Sequence, residues 1–235
     1  MQNVLITGGS SGIGEATVEL LISRGFNVIN LDLKKNNKSF CVKTDLSDLR
    51  QIKKNFSFIE KKFGKFHSLV NSAGVTFSKN TTNYSLSDWN KTIAVNLTAP
   101  FLLTQLVSKN MIKHKVKGSI LNITSIGAEL AFPDNPAYQA SKGGLKHLSK
   151  ALAYDLSKYG IRVNSLAPGY TNTPMNKKSF NNKKKRVERS GRTLLKRWGS
   201  PEEIAETVYF LLSKKSSFIT GSNFIVDGGW TAKGL

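Results

Sequence analysis

The chain is predicted to be an α/β protein, a doubly wound sheet of about seven parallel strands with helices on both faces. Three observations carry that expectation. Short apolar, β-rich runs alternate with longer segments of helical periodicity from one end of the sequence to the other. A cluster of glycine and serine stands between the first such run and the first helical segment. No repeat, linker or shift of composition divides the 235 residues, so 1–235 reads as a single domain with one sizeable core.

Each element has its own signal. Asn3-Val-Leu-Ile-Thr7 reads as a buried strand, and Gly8-Gly-Ser-Ser-Gly12-Ile-Gly14 follows at once. Ile13, Ala16, Thr17, Leu20 and Leu21 then recur at helical spacing as far as Arg24, with Gly25 as the stop. Val28–Leu31 is the second strand, closed by Asp32, and Phe40–Val42 the third. Leu69–Val70 forms the centre of the fourth, and a helical pattern runs from Leu86 to Val107. Ser119–Ile123 is the fifth strand, ahead of a helix from Tyr138 to Lys158. Arg162–Leu166 is the sixth. Pro201 starts a helix to Leu212, with Ser200 as its cap and Glu202 and Glu203 in its first turn, and Phe224–Val226 is the seventh strand.

Two motifs carry chemistry. Glycines at a strand-to-helix turn let the backbone approach a pyrophosphate, which sits on the positive end of the helix. Tyr138 and Lys142 are four residues apart, so on a helix they share a face. An ammonium beside a phenol favours the phenolate, and the pair is expected to turn Tyr138 into a general acid/base working near neutral pH. Asp32, at the end of the second strand, can accept from two ribose hydroxyls and repel a 2′-phosphate, which argues for NAD over NADP. Lys34 and Lys35 just beyond it pull the other way.

Composition bounds the rest. No apolar stretch approaches a membrane span, and the first strand begins too early for a signal peptide. Cys41 is the only cysteine, which excludes an internal disulfide and fits a reducing cytoplasm. The three histidines are scattered and suggest no metal site. The formal charge of +20 raises nucleic-acid binding as a possibility, but 28 lysines stand against seven arginines, spread beside many asparagines. A general basic bias with a solvated surface accounts for that pattern better than a nucleic-acid interface.

Read together, these residues resemble the short-chain dehydrogenase/reductase family over essentially the whole chain, and 3-oxoacyl-carrier-protein reductases and sugar or polyol dehydrogenases within it. The match runs through Thr7-Gly8-x-x-x-Gly12-x-Gly14, Asn71-Ser-Ala-Gly74, Asn96, Ser125, Tyr138/Lys142, Pro168-Gly169, Gly221 and Asp227-Gly-Gly229. Ser72 departs from the family's second asparagine. The resemblance implies a Rossmann-type fold and hydride transfer between NAD(P) and a secondary alcohol or ketone. It implies Tyr138 as acid/base, Lys142 lowering the Tyr138 pKa and holding the nicotinamide ribose, Ser125 on the substrate oxygen, and Asn96 anchoring a water. Cofactor contacts are implied at Gly8, Ser10, Ser11, Gly12, Ile13, Gly14, Asp32, Asp45, Leu46, Asn71, Ala73, Gly74, Pro168, Gly169, Thr171 and Thr173, besides Tyr138 and Lys142. Asp45 would meet the adenine edge, cap the following helix, or both.

The resemblance also implies a homotetramer built on the helices around Leu86–Val107 and Tyr138–Lys158; Leu145, Leu148, Leu152 and Leu156 on the second give it more than one apolar side. From Lys177 to Arg197 the chain carries ten basic residues and one acidic residue, Glu188. This segment, about 175–200, corresponds to the family's substrate lid. Its charge, densest at Lys183–Arg186, fits an anionic or carrier-linked substrate and equally a solvated loop. A cofactor-sensing binding protein is the other functional class, and the complete set of Asn96, Ser125, Tyr138 and Lys142 argues against it.

Overall fold

The computed structural model describes residues 1–35 and 37–233. Seven strands form one parallel sheet in the order β3-β2-β1-β4-β5-β6-β7. They are β1 Asn3–Thr7, β2 Asn27–Asp32, β3 Phe40–Lys43, β4 Ser68–Asn71, β5 Ser119–Ile123, β6 Arg162–Pro168 and β7 Asn223–Val226. The winding reverses between β1 and β4, where Thr7 stands opposite Asn71. At such a switch point the two following loops diverge and leave a crevice at the carboxyl edge.

Successive side chains of a strand point to opposite faces, and the sequence uses both. Leu5, Ile29, Leu31, Leu69, Ile120 and Val163 pack on one side with α2 (Leu49–Phe63), α4 (Ala99–Lys113) and α5 (Pro136–Ser157). Val4, Ile6, Val28, Val70, Leu121 and Leu166 pack on the other with α1 (Gly12–Ser23) and α8 (Pro201–Leu212). That α8 begins at Pro201 follows from a capping box in which Ser200 and Glu203 satisfy each other's backbone amides.

The structure departs from the sequence reading in four places. The segment Leu86–Val107 is not one regular helix: α3 (Leu86–Ile93) passes through a π-helical turn, Ala94–Thr98, into α4. Pro100 supplies the reason, because it has no N–H for the carbonyl four residues back and its ring would press on that carbonyl. The cap of α2 is Asp48, which accepts from the Arg50 and Gln51 amides, whereas Asp45 turns back on Ser47. The basic segment folds into two short helices, α6 (Lys177–Asn181) and α7 (Lys183–Arg192). Finally, Leu145 and Leu156 belong to the chain's own interior and Leu152 packs against it. Among the large apolar side chains that α5 and α4 turn outward are Tyr154, Phe101 and Ile112, 85%, 44% and 37% exposed.

Candidate active site

The turn after β1 is held from beneath by polar side chains of the neighbouring strands. Asn30, fully buried in the middle of β2, accepts the Gly9 amide at 2.9 Å and donates to Ser10 Oγ at 3.0 Å. Asp32, at the end of β2, accepts from the Ser10 amide and from the Lys34 amide, each at 3.0 Å. Thr7 Oγ1 takes the Ser72 and Ala73 amides at 3.1 Å, tying the loop after β4 to the end of β1. A β-carbon on Gly14 would collide with the Gly8 carbonyl, so only glycine lets α1 start this close to the strand.

The cradle fits a dinucleotide phosphate. Gly8 and Gly12 are both at positive φ, and the cap residue Ser11 makes no side-chain hydrogen bond to α1. The first-turn amides of that helix therefore face the crevice at its positive end.

The catalytic candidates meet further along the same crevice. Tyr138 lies in the first turns of α5, with Lys142 one turn later, its Nζ 5.7 Å from the centre of the Tyr138 ring. Lys142 is 3% exposed and donates to the Ile123 carbonyl at 2.8 Å. Ser125, just beyond β5, hydrogen-bonds the Tyr138 phenol and accepts the Gly127 amide at 3.0 Å. Desolvation pushes the Tyr138 phenol above its ordinary pKa; the Ser125 hydrogen bond works against that shift and the nearby Tyr170 adds to it. Tyr138 is half-buried and lines the crevice. Burial also lowers Lys142, to about 8. In the chain without cofactor, burial is thus the largest influence on both groups, raising Tyr138 and lowering Lys142.

Asn96 occupies the π turn, fully buried. Its side chain accepts the Val75 amide and donates to the Val75 carbonyl, both at 2.9 Å, and donates to Ser141 Oγ at 3.1 Å. It therefore fixes the loop after β4 against α5, beside Gly74 and Lys142.

A cavity of about 440 Å³ joins these parts. Its wall includes Gly8, Ser11, Gly12, Ile13, Gly14, Asp32, Asp45, Leu46, Ala73, Gly74, Ser125, Tyr138, Lys142, Pro168, Gly169, Thr171 and Thr173. Ser10, Asn71 and Asn96 do not line it. Ser10 braces the glycine turn on Lys34, and Asn71 donates within the sheet to Asn122 at 2.8 Å. Asp45 is held below the ordinary carboxylate range, chiefly by Ser47, whose hydroxyl and amide it accepts at 2.6 and 2.9 Å.

Over the other end lies an aromatic group. Tyr170 stacks on Trp230 at 5.0 Å, tilts against Trp198 at 5.1 Å and meets Phe132 edge-on at 6.3 Å. From the basic lid, Arg189 reaches the cavity wall, whereas Lys183, Lys184, Lys185 and Arg186 do not. Neither Asn30 nor Arg189 stands out by sequence motif. Asn30 could have been found as a polar residue inside an apolar strand, which must have a buried partner.

Comparison with known proteins gives one picture. The family model described as enoyl-(acyl carrier protein) reductase matches residues 8–231. A 3-oxoacyl-[acyl-carrier-protein] reductase of Thermotoga maritima is 37% identical over 238 residues, covering 96% of each chain. An L-rhamnose 1-dehydrogenase (NADP(+)) of Thermoplasma acidophilum is 35% identical, over 97% of this chain and 95% of that one. A solved 4-hydroxyisoleucine dehydrogenase complexed with NADH superposes over 100% of both chains with a TM-score of 0.96 and 35% identity.

Proposed function

The chain belongs to the short-chain dehydrogenase/reductase family and is an NAD(P)-dependent enzyme acting on CH–OH groups, and on that premise we propose that it interconverts a secondary alcohol and a ketone with NAD(H), using Tyr138, Lys142, Ser125 and Asn96. The observation that carries this reading is the meeting of Tyr138, Lys142 and Ser125 on the wall of the same cavity as the glycine turn. Bound there, the dinucleotide supplies the carbon that takes or gives the hydride.

The protein's part is positioning and proton movement. Gly8, Gly12 and Gly14 with the first turn of α1 would hold the pyrophosphate, and Asp32 the adenosine ribose. Asp45, Leu46, Ala73 and Gly74 border the adenine side, with Pro168, Gly169, Thr171 and Thr173 toward the nicotinamide. Ser125 Oγ orients the substrate oxygen and steadies its developing charge. Tyr138 Oη transfers the proton to or from that oxygen. Lys142, anchored on the Ile123 carbonyl, holds a cation below the ring, and Asn96 fixes the loop that carries Gly74.

NAD is preferred in this reading because the Asp32 carboxylate would face a 2′-phosphate. The whole chain acts as one cofactor-binding domain, supported by its single sheet, and works as a cytoplasmic homotetramer. Exposed Phe101 and Tyr154 support the assembly, and the lone Cys41 a reducing compartment. Among the described residues no helix is long and apolar enough to cross a membrane. A second reading, reduction of a carrier-linked 3-oxoacyl group with NADPH, is favoured by the exposed Lys183, Lys184 and Lys185 on α7. A panel of secondary alcohols and ketones, assayed with both cofactors by nicotinamide absorbance, decides between them. Turnover with none of the panel and neither cofactor would overturn the proposal.

A further inference from the structure

We propose that Arg189 binds a carboxylate and that the substrate is a small hydroxy acid, or its keto counterpart, oriented by its own anionic end; this rests on the alcohol–ketone reading of the site. The Arg189 guanidinium lies over the Tyr170 ring, 4.1 Å from its centre, and 5.8 Å from that of Trp198. Its side chain is half-buried and lines the cavity that Tyr138 and Ser125 line. Among the described residues it forms no ion pair. The one acid of α7, Glu188, pairs with Arg192 at 2.9 Å, and Arg197 is taken by Glu203. A cation therefore stands on an aromatic platform with its donors unspent, facing the cavity.

The charges around the wall say what those donors meet. Asp32 and Asp45 lie at the β2 and β3 ends, with Lys91 acting on Asp45. That leaves Lys142 and Arg189 as the charged wall residues of the substrate end, with no carboxylate among them. Tyr170 links the two, because it carries Arg189 on its face and lies near enough to Tyr138 to help raise the Tyr138 pKa. Phe132 and Met175 complete an apolar wall between.

A guanidinium fork matches a carboxylate through two parallel N–H···O bonds, a match neither a neutral sugar nor a thioester can make. An acidic carrier would instead meet Lys183, Lys184 and Lys185 outside the cavity. The reaction leaves the carboxylate untouched. In oxidation the carbinol C–H bond would give its hydride to the bound oxidised nicotinamide, the O–H proton would pass to Tyr138 in its phenolate form and restore the phenol, and the C–O bond would become a carbonyl; reduction is the reverse.

The test compares short hydroxy acids with their methyl esters in wild-type enzyme and in the variants Arg189→Gln and Arg189→Lys. Wild type should favour the acid by about tenfold or more in kcat/KM, expressed in KM, since a contact remote from the reacting carbon adds uniform binding. Arg189→Gln should lower acid turnover by about tenfold to a hundredfold at low substrate and bring the acid-to-ester ratio toward one. Arg189→Lys should restore part of that ratio, because it keeps the charge and loses the fork. Equal use of acid and ester by wild type overturns the assignment, as does a ratio that Arg189→Gln leaves intact. It is overturned equally if only a carrier-linked substrate turns over, with a KM raised by neutralising Lys183, Lys184 and Lys185 and indifferent to Arg189. A binding measurement stands apart from turnover: succinate should raise the Tm of the NADH-saturated wild type but not of Arg189→Gln, and no rise in wild type sinks the clamp. Tyr138→Phe separates the two claims. If it stays active, the catalytic reading fails; if it is inactive while no acid preference is seen, Arg189 alone is misassigned.

Discussion

The side chain of Asn30 holds the amide of Gly9 at 2.9 Å, so a residue buried in one strand sets the path of the glycine turn that follows another. Asn30→Ala removes the side chain that accepts the Gly9 amide and donates to Ser10 Oγ. We expect a loss of about 0.5–1.5 kcal/mol in stability for each hydrogen bond removed, together with weaker NADH binding. Urea unfolding and fluorescence titration of NADH would read the two effects. Unchanged affinity would mean that the turn holds its shape without this strut.

Tyr138→Phe keeps the ring that packs by Lys142 and removes only the hydroxyl. Turnover should fall by about a hundredfold to ten-thousandfold, the usual worth of a positioned acid/base. NADH binding should persist within a small factor, measured by the same titration. Most of the activity surviving would remove Tyr138 from the catalytic role.

Lys142 gives a pH signature in the cofactor-free protein. Its pKa is about 8 in the native state against 10.5 ordinarily, so between those values the unfolded chain holds a proton that the native chain has lost. Stability should rise with pH across that window, by at most about 3 kcal/mol, and be insensitive to this group below about pH 8. Tyr138 acts oppositely: its raised pKa makes the native chain keep a proton above about pH 10 that the unfolded chain gives up, so stability falls there. Lys142→Met should abolish the rise between about pH 8 and 10 in urea midpoints. The surface lysines titrate alike in both proteins and cancel in the difference. An unchanged slope in the variant would place the effect elsewhere.

In the proposed NAD reading, Asp32 sets the cofactor preference. Asp32→Asn keeps an oxygen for one of the two amides it accepts and removes the charge. The ratio of kcat/KM for NAD over NADP should drop by about tenfold or more, the scale of a lost charge-assisted hydrogen bond and a relieved repulsion. Wild-type enzyme that already prefers NADP would reverse the argument and move the weight to Lys34 and Lys35.

Much of this molecule can be read without coordinates, for physical reasons. Val4, Leu5 and Ile6 are all apolar because their strand is buried on both faces, and so short an apolar run between turn residues suits a central parallel strand. Tyr138 and Lys142 are legible as a pair because helical geometry alone puts them together. The lid is different. Its ten basic residues look alike in sequence, and what singles out Arg189 is the Tyr170 ring, which arrives from the end of β6. The direction of the Tyr138 shift is illegible for a related reason: it depends on how much water the fold removes from both partners, which spacing does not reveal. The break in the helix through Asn96 depends on Pro100 meeting a turn that must also deliver a side chain to Val75.

That π-helical turn has a consequence for anyone who would engineer the protein. A surplus residue in one turn rotates everything after it by about 100° relative to an uninterrupted α-helix. The rod made of α3 and α4 is therefore phased twice, once for each half, and Asn96 sits at the seam. Deleting one residue from 94–98 would bring the two halves into one α-helical phase, apart from the bond Pro100 cannot give, while turning the amide away from Val75. Local regularity and site geometry pull in opposite directions here, so a stabilised variant obtained by smoothing this seam would be well folded and catalytically blunt.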